Sequence, residues 1–228
     1  SVQKQTDFIR TVQTKGLWGL VNNTSICYLV GPNEWLRKED FAKVLEVNLL
    51  GPIDVTLQML PLVRRASGRV VNLSSVLGRL AIPGGGYCLS KFAVEAFSDT
   101  LRRELFLFGI RTSIIELGGF ATDLINNSKQ HLQSVSSRIP PHIKESYGQQ
   151  YLDNFLNILK KINLMKTNNM ELYLVTNCIE HALTSHYPRT RYLAGWDAKL
   201  LYLPASYLPS AITDYFVGIC VSKPAQAM

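Results

Sequence analysis

Short apolar runs alternate with longer amphipathic segments along the first half of the chain, and this alternation constrains the fold more than any other feature. The apolar runs, at residues 17–21, 69–73 and 111–115, have the composition of buried strands. The segments between them, at 39–60 and 90–108, carry apolar residues at helical spacing. Strands that are apolar throughout and separated by helices are typical of a parallel sheet covered on both faces. Because crossovers between parallel strands are right-handed, we predict an α/β fold with a doubly wound sheet.

The second half of the chain is less regular. The elements predicted there are a helix that begins at Pro140-Pro141 and runs through 151–161, a helix at 171–185, and a last strand within 192–203. The tail, residues 208–219, has an amphipathic pattern that can pack on the body of the protein or on a bilayer, and packing on the body is favoured. No shift in composition marks a boundary, so we expect residues 1–228 to form one domain.

The charge and cysteine content exclude several kinds of site. The net charge is +7 over 228 residues, but the basic residues are scattered and form no stripe interleaved with aromatics, so we expect no nucleic-acid partner. An anionic cofactor, a membrane surface or a solvated basic surface all remain compatible with the excess. The cysteines lie far apart and have no metal-ligand spacing, so we expect reduced thiols and no metal: Cys27, Cys88, Cys178 and Cys220.

Polar groups follow three of the predicted strands at their carboxyl ends. They are Asn22-Asn23, Ser74-Ser75 and Gly118-Gly119. Ligands of open parallel sheets bind beyond the carboxyl ends of the strands. The sequence therefore predicts a ligand site at this edge of the sheet.

A tyrosine and a lysine stand four residues apart at the start of a predicted helix. Tyr87 and Lys91 therefore share one helix face, and no other tyrosine of the ten has a lysine at this spacing. A nearby ammonium group stabilises a phenolate and would lower the tyrosine pKa from its ordinary value of ~10. Such a tyrosine can exchange a proton with an alcohol or carbonyl oxygen, and Ser75 could hydrogen-bond the same oxygen. Taken alone, the Tyr87–Lys91 spacing is explained more simply by a contact on a helix surface, and Ser74-Ser75 by a helix cap. The two signals occur at the same edge of one sheet, however, and together they favour catalysis.

The order of these motifs resembles that of the short-chain dehydrogenase/reductase family. The matching positions are Asn22-Asn23, Asn48, Ser74-Ser75, Tyr87 with Lys91, and Gly118-Gly119. Longer segments resemble the branch of microsomal retinol dehydrogenases and 17-beta-hydroxysteroid dehydrogenase type 6. Those segments are 68–75, 84–88, 94–99, 101–104, 181–183, 188–192, 194–202 and 223–227.

The resemblance implies a Rossmann-like fold and an NAD(H)-linked enzyme that acts on hydroxyl and keto groups of retinoids or of 3-alpha- and 17-beta-hydroxysteroids. It also implies a microsomal location at the endoplasmic reticulum membrane and allows a homodimer. A substrate-covering segment would span residues 124–165. The site residues that it implies are Tyr87 as acid/base, Lys91 on the nicotinamide ribose, Ser75 on the substrate oxygen, Asn48 in a proton relay, and Asn22, Gly118 and Thr122 at the cofactor.

The sequence departs from the family pattern in three places. The family opens with a Gly-x-x-x-Gly-x-Gly turn that receives the pyrophosphate, and nothing before Leu17 supplies it. The family's Asn-Asn-Ala-Gly is replaced by residues 22–25, where Thr24 and Ser25 add bulk, and its Pro-Gly after the third strand is replaced by Leu117-Gly118. We therefore expect a domain that lacks its Gly-rich first βαβ portion, folds poorly alone and binds NAD weakly.

Two alternatives stay open at this point. One is a catalytically impaired fragment or isoform that acts, if at all, as a non-enzymatic partner. The other is an NADP-linked carbonyl reductase of the same family, because the residue that selects NAD over NADP lies in the stretch that the family places before Leu17.

Overall fold

The four strands form a single parallel sheet. The computed structural model describes residues 7, 9, 11, 15–27, 31–119, 134–155, 157, 172–220 and 223–227. Within this part of the chain, the strands lie in the order β1-β2-β3-β4 and all neighbours are parallel. Their bounds are β1 Gly19–Asn22, β2 Arg69–Ser75, β3 Arg111–Leu117 and β4 Arg191–Ala194. The predicted α/β class with a parallel, Rossmann-like sheet is confirmed.

Six α-helices of seven residues or more have their bounds within the described part of the chain. They are α1 Lys38–Leu45, α2 Gly51–Arg65, α3 Gly86–Leu105, α4 Pro141–Tyr147, α5 Tyr173–Thr184 and α6 Ser210–Cys220. A π-helical turn, Glu46–Leu50, joins α1 to α2. The predicted amphipathic segment at 39–60 therefore corresponds to one nearly continuous helical stretch.

Apolar side chains cover the sheet on both faces. On one face, Val70 of β2 packs with Met59 and Leu62 of α2 and with Leu101 and Leu105 of α3. On the other face, Ala182 of α5 is buried together with five strand residues, which are Val71, Leu73, Ile115, Tyr192 and Ala194. Because each strand alternates its side chains between two covered faces, a strand interior can be apolar throughout.

Helix α3 begins earlier than the apolar periodicity alone indicates. Its first residue is Gly86, four residues before the predicted start of the apolar stripe at Ser90. Gly85 precedes it with a φ of 75°, a backbone conformation that a glycine adopts without strain. This early start places Tyr87 in the first turn of α3 and Lys91 in the second.

Two predicted elements of the second half are wrong in extent. The helix expected to continue from Pro140 to residue 161 is interrupted at Gly148, where φ is +77°, and helix resumes at 149–155. The last strand ends at Ala194 rather than at 203, because Gly195 turns the backbone with a φ of 101°. Residues 198–205 are helical, so the apolar run there is part of helical turns rather than of a strand.

Helix α6 leaves most of its apolar residues exposed. Tyr215 is 67% exposed and Ile219 is 65% exposed, so the expected packing of the tail against the body is not what the structure has. None of the helices in the described ranges is both long enough and apolar enough to cross a membrane.

Candidate active site

The candidate site lies at the carboxyl ends of β1, β2 and β3. Asn22 is the last residue of β1, Ser75 is the last residue of β2, and Gly118 directly follows β3. The two serines predicted to follow the second strand are its last two residues. The first two turns of α3 bring Tyr87 and Lys91 to the same edge.

Tyr87, Lys91 and Ser75 are brought together in one place. The Lys91 Nζ lies 5.5 Å from the centre of the Tyr87 ring and donates a hydrogen bond of 3.1 Å to the Leu73 carbonyl of β2. The Tyr87 hydroxyl faces the hydroxyls of Ser75 and Ser25, both of which act on its pKa as hydrogen-bonding groups. This arrangement places the phenol hydroxyl beside two serine hydroxyls, with an ammonium group near the ring.

Ser75 also has a local structural task. Its Oγ accepts a hydrogen bond of 3.2 Å from the Leu77 amide and donates one of 3.3 Å to the Leu117 carbonyl. The capping interpretation is therefore correct for this residue, and it is compatible with a second role. Two backbone contacts hold the oxygen in position, and its one proton, which here is donated to the Leu117 carbonyl, would turn toward a substrate oxygen in the second role.

The pKa values of the tyrosine and the lysine are displaced in opposite directions by the same cause. Burial raises the pKa of Tyr87 well above its ordinary value, and the neighbouring Ser75 and Ser25 hydroxyls only partly oppose this. Burial also lowers the pKa of Lys91 to about 8. The lowered pKa of Tyr87 expected from the sequence is thus wrong for the protein by itself, because desolvation by burial outweighs the hydrogen-bonding groups that oppose it. The phenol stays protonated at neutral pH, the form that donates a proton.

Asn48 lies in the middle of the π-helical turn and connects two segments of the site. Its Nδ2 donates to the Ile26 carbonyl (2.9 Å) and to the Ser90 Oγ (3.0 Å), and its Oδ1 accepts from the Ile26 amide (2.7 Å). Ser90 in turn donates to the Tyr87 carbonyl at 2.7 Å. Asn48 therefore fixes the segment after β1 against the first turn of α3. Single π-helical turns occur frequently at functional sites, a signal that residue types alone do not carry.

Asn22 joins the end of β1 to its neighbours. Its Nδ2 donates to the Thr56 Oγ1 of α2 at 2.9 Å and to the Asn72 Oδ1 of β2 at 2.8 Å. Asn72 continues the chain of hydrogen bonds to the Ser98 Oγ of α3 at 2.8 Å. This network of polar side chains crosses the sheet just behind the site.

Asp197 is a site residue that the sequence analysis did not single out. Its Oδ2 accepts a hydrogen bond of 2.6 Å from the Gly119 amide, and a β-carbon at Gly118 would collide with its carboxylate. A larger residue at position 118 would therefore displace the Asp197 carboxylate from this turn. The segment 194–202 resembles the retinol dehydrogenase branch, but nothing in the spacing of its residues predicts that Asp197 contacts the turn after β3. Thr122 and residues 124–133 lie outside the described residues.

Glu95 is a second residue that was missed. It stands on α3 one turn beyond Lys91, is only 6% exposed, and pairs with Arg191 of β4. In the sequence, Glu95 is an acidic residue among the apolar positions of the predicted helix. That pattern does not distinguish a buried glutamate from one that faces solvent. Within the described part of the chain, no group of three or more potential metal-ligating side chains is found.

Comparisons with known proteins identify the family. The family model described as short chain dehydrogenase matches residues 1–133. Retinol dehydrogenase 7 of Rattus norvegicus is 52% identical over 219 residues, which cover 95% of this chain and 68% of that protein. The 17-beta-hydroxysteroid dehydrogenase type 6 of Homo sapiens is 52% identical over 231 residues, which cover 100% of this chain and 72% of that protein.

Solved structures agree with the fold. A short-chain dehydrogenase from Streptomyces avermitilis superposes with a TM-score of 0.66 at 21% identity, covering 95% of this chain and 73% of that one. A short chain dehydrogenase from Burkholderia cenocepacia J2315 in complex with NADP superposes with a TM-score of 0.66 at 16% identity, covering 95% of this chain and 74% of that one. At these identities, the two structures support the fold alone.

The fold and the family model together define the class of protein, which is an oxidoreductase of the dehydrogenase type. The chain belongs to the short-chain dehydrogenase family.

Proposed function

We propose that this protein transfers hydride between NAD(H) and a hydroxyl or keto group of a lipophilic substrate, either a retinoid or a 3-alpha- or 17-beta-hydroxysteroid. One observation carries the proposal: the Tyr87 hydroxyl faces that of Ser75, with Lys91 behind the ring, at the carboxyl edge of a parallel sheet. The names of relatives about half identical to this chain support retinol and a 17-beta-hydroxysteroid as substrates, and the family resemblance of the sequence adds 3-alpha-hydroxysteroids.

The chemistry of the donor groups at this edge fits a nicotinamide dinucleotide. When bound, the dinucleotide supplies or accepts the hydride. The Lys91 ammonium would bind the nicotinamide ribose, and Asn22, Gly118 and Thr122 would border the cofactor. NADP stays an alternative to NAD, and a family neighbour is in complex with NADP.

Tyr87 would act as the general acid and base. In the direction of reduction, its hydroxyl donates a proton to the carbonyl oxygen of the substrate, and in the direction of oxidation the phenolate takes the proton back. Ser75 would hold and polarise the same oxygen. The raised pKa of Tyr87 suits the reductive direction, because the phenol is fully protonated at neutral pH. For oxidation, the positive charge of Lys91 would favour the phenolate.

Asn48 would support a proton relay behind Lys91. Both of its side-chain groups are engaged with Ile26 and Ser90, so any contact with a relay water would use its backbone rather than its side chain. We therefore expect Asn48 to act by holding the relay in place.

The test is oxidation of retinol and of a 3-alpha-hydroxysteroid by the purified protein with millimolar NAD⁺, followed by absorbance of NADH. We expect Tyr87→Phe to lower kcat by a factor of about 10²–10⁴, the range of a general acid or base. Tyr187→Phe is the matched control, because Tyr187 is 82% exposed and remote from the site. Wild-type activity that Tyr87→Phe retains in full would contradict the proposal.

We also propose that α6 associates with a membrane surface. Asp214 is its only charged residue, and its exposed apolar side chains include Tyr215, Phe216 and Ile219. An amphipathic helix of this kind lies in the plane of the lipid interface. Flotation with neutral phosphatidylcholine vesicles should carry the wild type upward, whereas Phe216→Ser should leave more protein at the bottom. Equal flotation of both proteins would contradict this proposal.

A homodimer through α3 is the third proposal. Its outer face exposes Leu89 and Phe92, which are 51% and 43% exposed, and apolar residues of this size on one helix face suit burial in a partner. Sedimentation equilibrium should give twice the mass of one chain, and Phe92→Glu should give the mass of one chain. A wild type that sediments as a single chain would rule the dimer out.

A further inference from the structure

A cluster of charged side chains lies beside α3 and extends from Glu95 to β4, beyond the groups proposed to act on the substrate. At its centre, Arg191 of β4 pairs with Glu95 of α3, with Glu116 of β3 at 2.6 Å and with Asp99 of α3 at 2.9 Å. Arg79 approaches Glu116 from the turn after β2 at 3.4 Å. These five residues, the Arg191 cluster, join three strands or turns to α3.

One member of the Arg191 cluster also faces the site. Glu95 stands four residues after Lys91, so the two side chains occupy adjacent turns of one helix face. Both are buried, with exposures of 6% for Glu95 and 3% for Lys91. The Glu95 Oε2 is bound by Arg191, while its Oε1 is buried and has no hydrogen-bond partner of good geometry.

Close packing prevents Glu95 from turning away. A β-carbon at Gly78 would lie 2.8 Å from the Ser74 Oγ and 3.0 Å from both the Glu95 Cγ and the Lys91 carbonyl oxygen. The turn after β2 therefore presses directly on α3 at this point. The Glu95 carboxylate is therefore bound by Arg191 on one side, and the turn at Gly78 packs against the Glu95 side chain on the other.

We propose that Glu95 is a positioning residue for Lys91, whose carboxylate, oriented by Arg191, keeps the Lys91 ammonium charged and directed at the Leu73 carbonyl beneath Tyr87. This inference rests on the proposed function, in which the charge of Lys91 binds the cofactor ribose and favours the phenolate. Glu95 itself does not touch the reacting atoms.

The electrostatic balance explains why the lysine needs such a partner. Burial brings the pKa of Lys91 down to about 8, and Glu95 is the larger of the two charges that oppose this, the other being Cys27. Tyr87 also faces Lys91, but as a neutral phenol. Burial likewise raises the pKa of Glu95, with Glu116 adding to the rise, whereas Arg191 and the Ser74 hydroxyl oppose it. Without the Arg191–Glu95 pair, less charge would oppose the effect of burial, and the pKa of Lys91 would fall further.

The test measures the lysine directly. Lysine-selective isotopic labelling, with the Lys91 signal assigned by Lys91→Arg, gives its titration by NMR in the full chain. We expect Glu95→Gln to move the midpoint below that of the wild type by about one pH unit. Glutamine keeps the size and an oxygen acceptor for Arg191, and Glu116 and Asp99 remain to balance that cation. Asp99→Asn is the matched control, because it removes a carboxylate from the same arginine two turns away from Lys91, and its midpoint should stay at that of the wild type.

A second measurement needs no variant. The proposal requires an ionised Glu95 at neutral pH, so the carboxyl carbon of Glu95 in the wild type should show the chemical shift of a carboxylate there. A protonated Glu95 at neutral pH, or an unmoved Lys91 midpoint in folded Glu95→Gln, would overturn the inference. A moved midpoint in a protein with no dehydrogenase activity would instead refute the proposed function and leave the coupling intact.

The activity profile gives an independent readout. If the protein is an active dehydrogenase, the alkaline fall of kcat/KM should begin at lower pH in Glu95→Gln, and Glu95→Asp should restore part of the difference. A merely structural role for Glu95 would lower the melting temperature without moving that limb of the profile, and this result would also overturn the inference.

Discussion

Replacement of Lys91 by methionine should make the protein more stable and inactive. The pKa of Lys91 is depressed from 10.5 to about 8, so the folded state binds the lysine proton more weakly than the unfolded chain does. This penalty is fully present below about pH 8 and disappears as the pH rises through 10.5. A shift of this size corresponds to about 3 kcal/mol. Loss of the hydrogen bond to the Leu73 carbonyl destabilises the variant by about 1 kcal/mol. We therefore expect the free energy of unfolding of Lys91→Met to exceed that of the wild type by about 2 kcal/mol at neutral pH.

Urea unfolding checks both the sign and the pH window. The midpoint urea concentration of Lys91→Met should exceed that of the wild type at neutral pH, with an unchanged slope. The difference should shrink as the pH rises from about 8 to 10.5, because only the wild type gains stability there. Lys144→Met, which changes an exposed lysine, should behave as the wild type does. A less stable Lys91→Met, or a difference that does not change with pH, would refute the reasoning.

Further variants test the remaining parts of the site. Ser75→Ala should lower kcat by about 10²-fold or more while the melting temperature falls only by the loss of a cap, and unchanged kcat would argue against contact with the substrate oxygen. Asp197→Ala releases the Gly119 amide and should raise the KM for NAD⁺ more than it lowers kcat, as steady-state kinetics would show. Asn22→Ala removes two partly buried hydrogen bonds and should lower the free energy of unfolding in urea by about 1–3 kcal/mol, and a neutral result would mean that solvent replaces them.

The periodicity of the sequence was sufficient for the first half of the fold. Each of the first three strands was predicted from a short run that contains two or more consecutive or alternating apolar residues, which is typical of strands in a sheet that helices cover on both faces. The same logic failed at residues 200–203, where an apolar run lies in exposed helical turns. Apolar content indicates burial only if a partner surface exists, and nothing in the local sequence reports that.

The site was predictable where the spacing of residues along one element decided the geometry. Tyr87 and Lys91 belong to one helix, so their shared face followed from a separation of four residues. Asp197 and Arg191, in contrast, reach the site region from more than 70 positions away along the chain. Contacts of this kind depend on the order of the strands, which places β4 beside β3. The residue types at positions 191 and 197 do not indicate that order.

The direction of the Tyr87 pKa could not be read from residue types for a related reason. The Tyr87–Lys91 spacing predicts a lowered pKa for Tyr87, but the extent of burial that raises this pKa is a property of the packed structure. Burial removes both Tyr87 and Lys91 from water. The pKa of Lys91 is therefore lowered, and the pKa of Tyr87 is raised. A carboxylate in the next turn of α3 opposes the effect of burial on the Lys91 pKa, and Glu95, paired with Arg191, stands at that position.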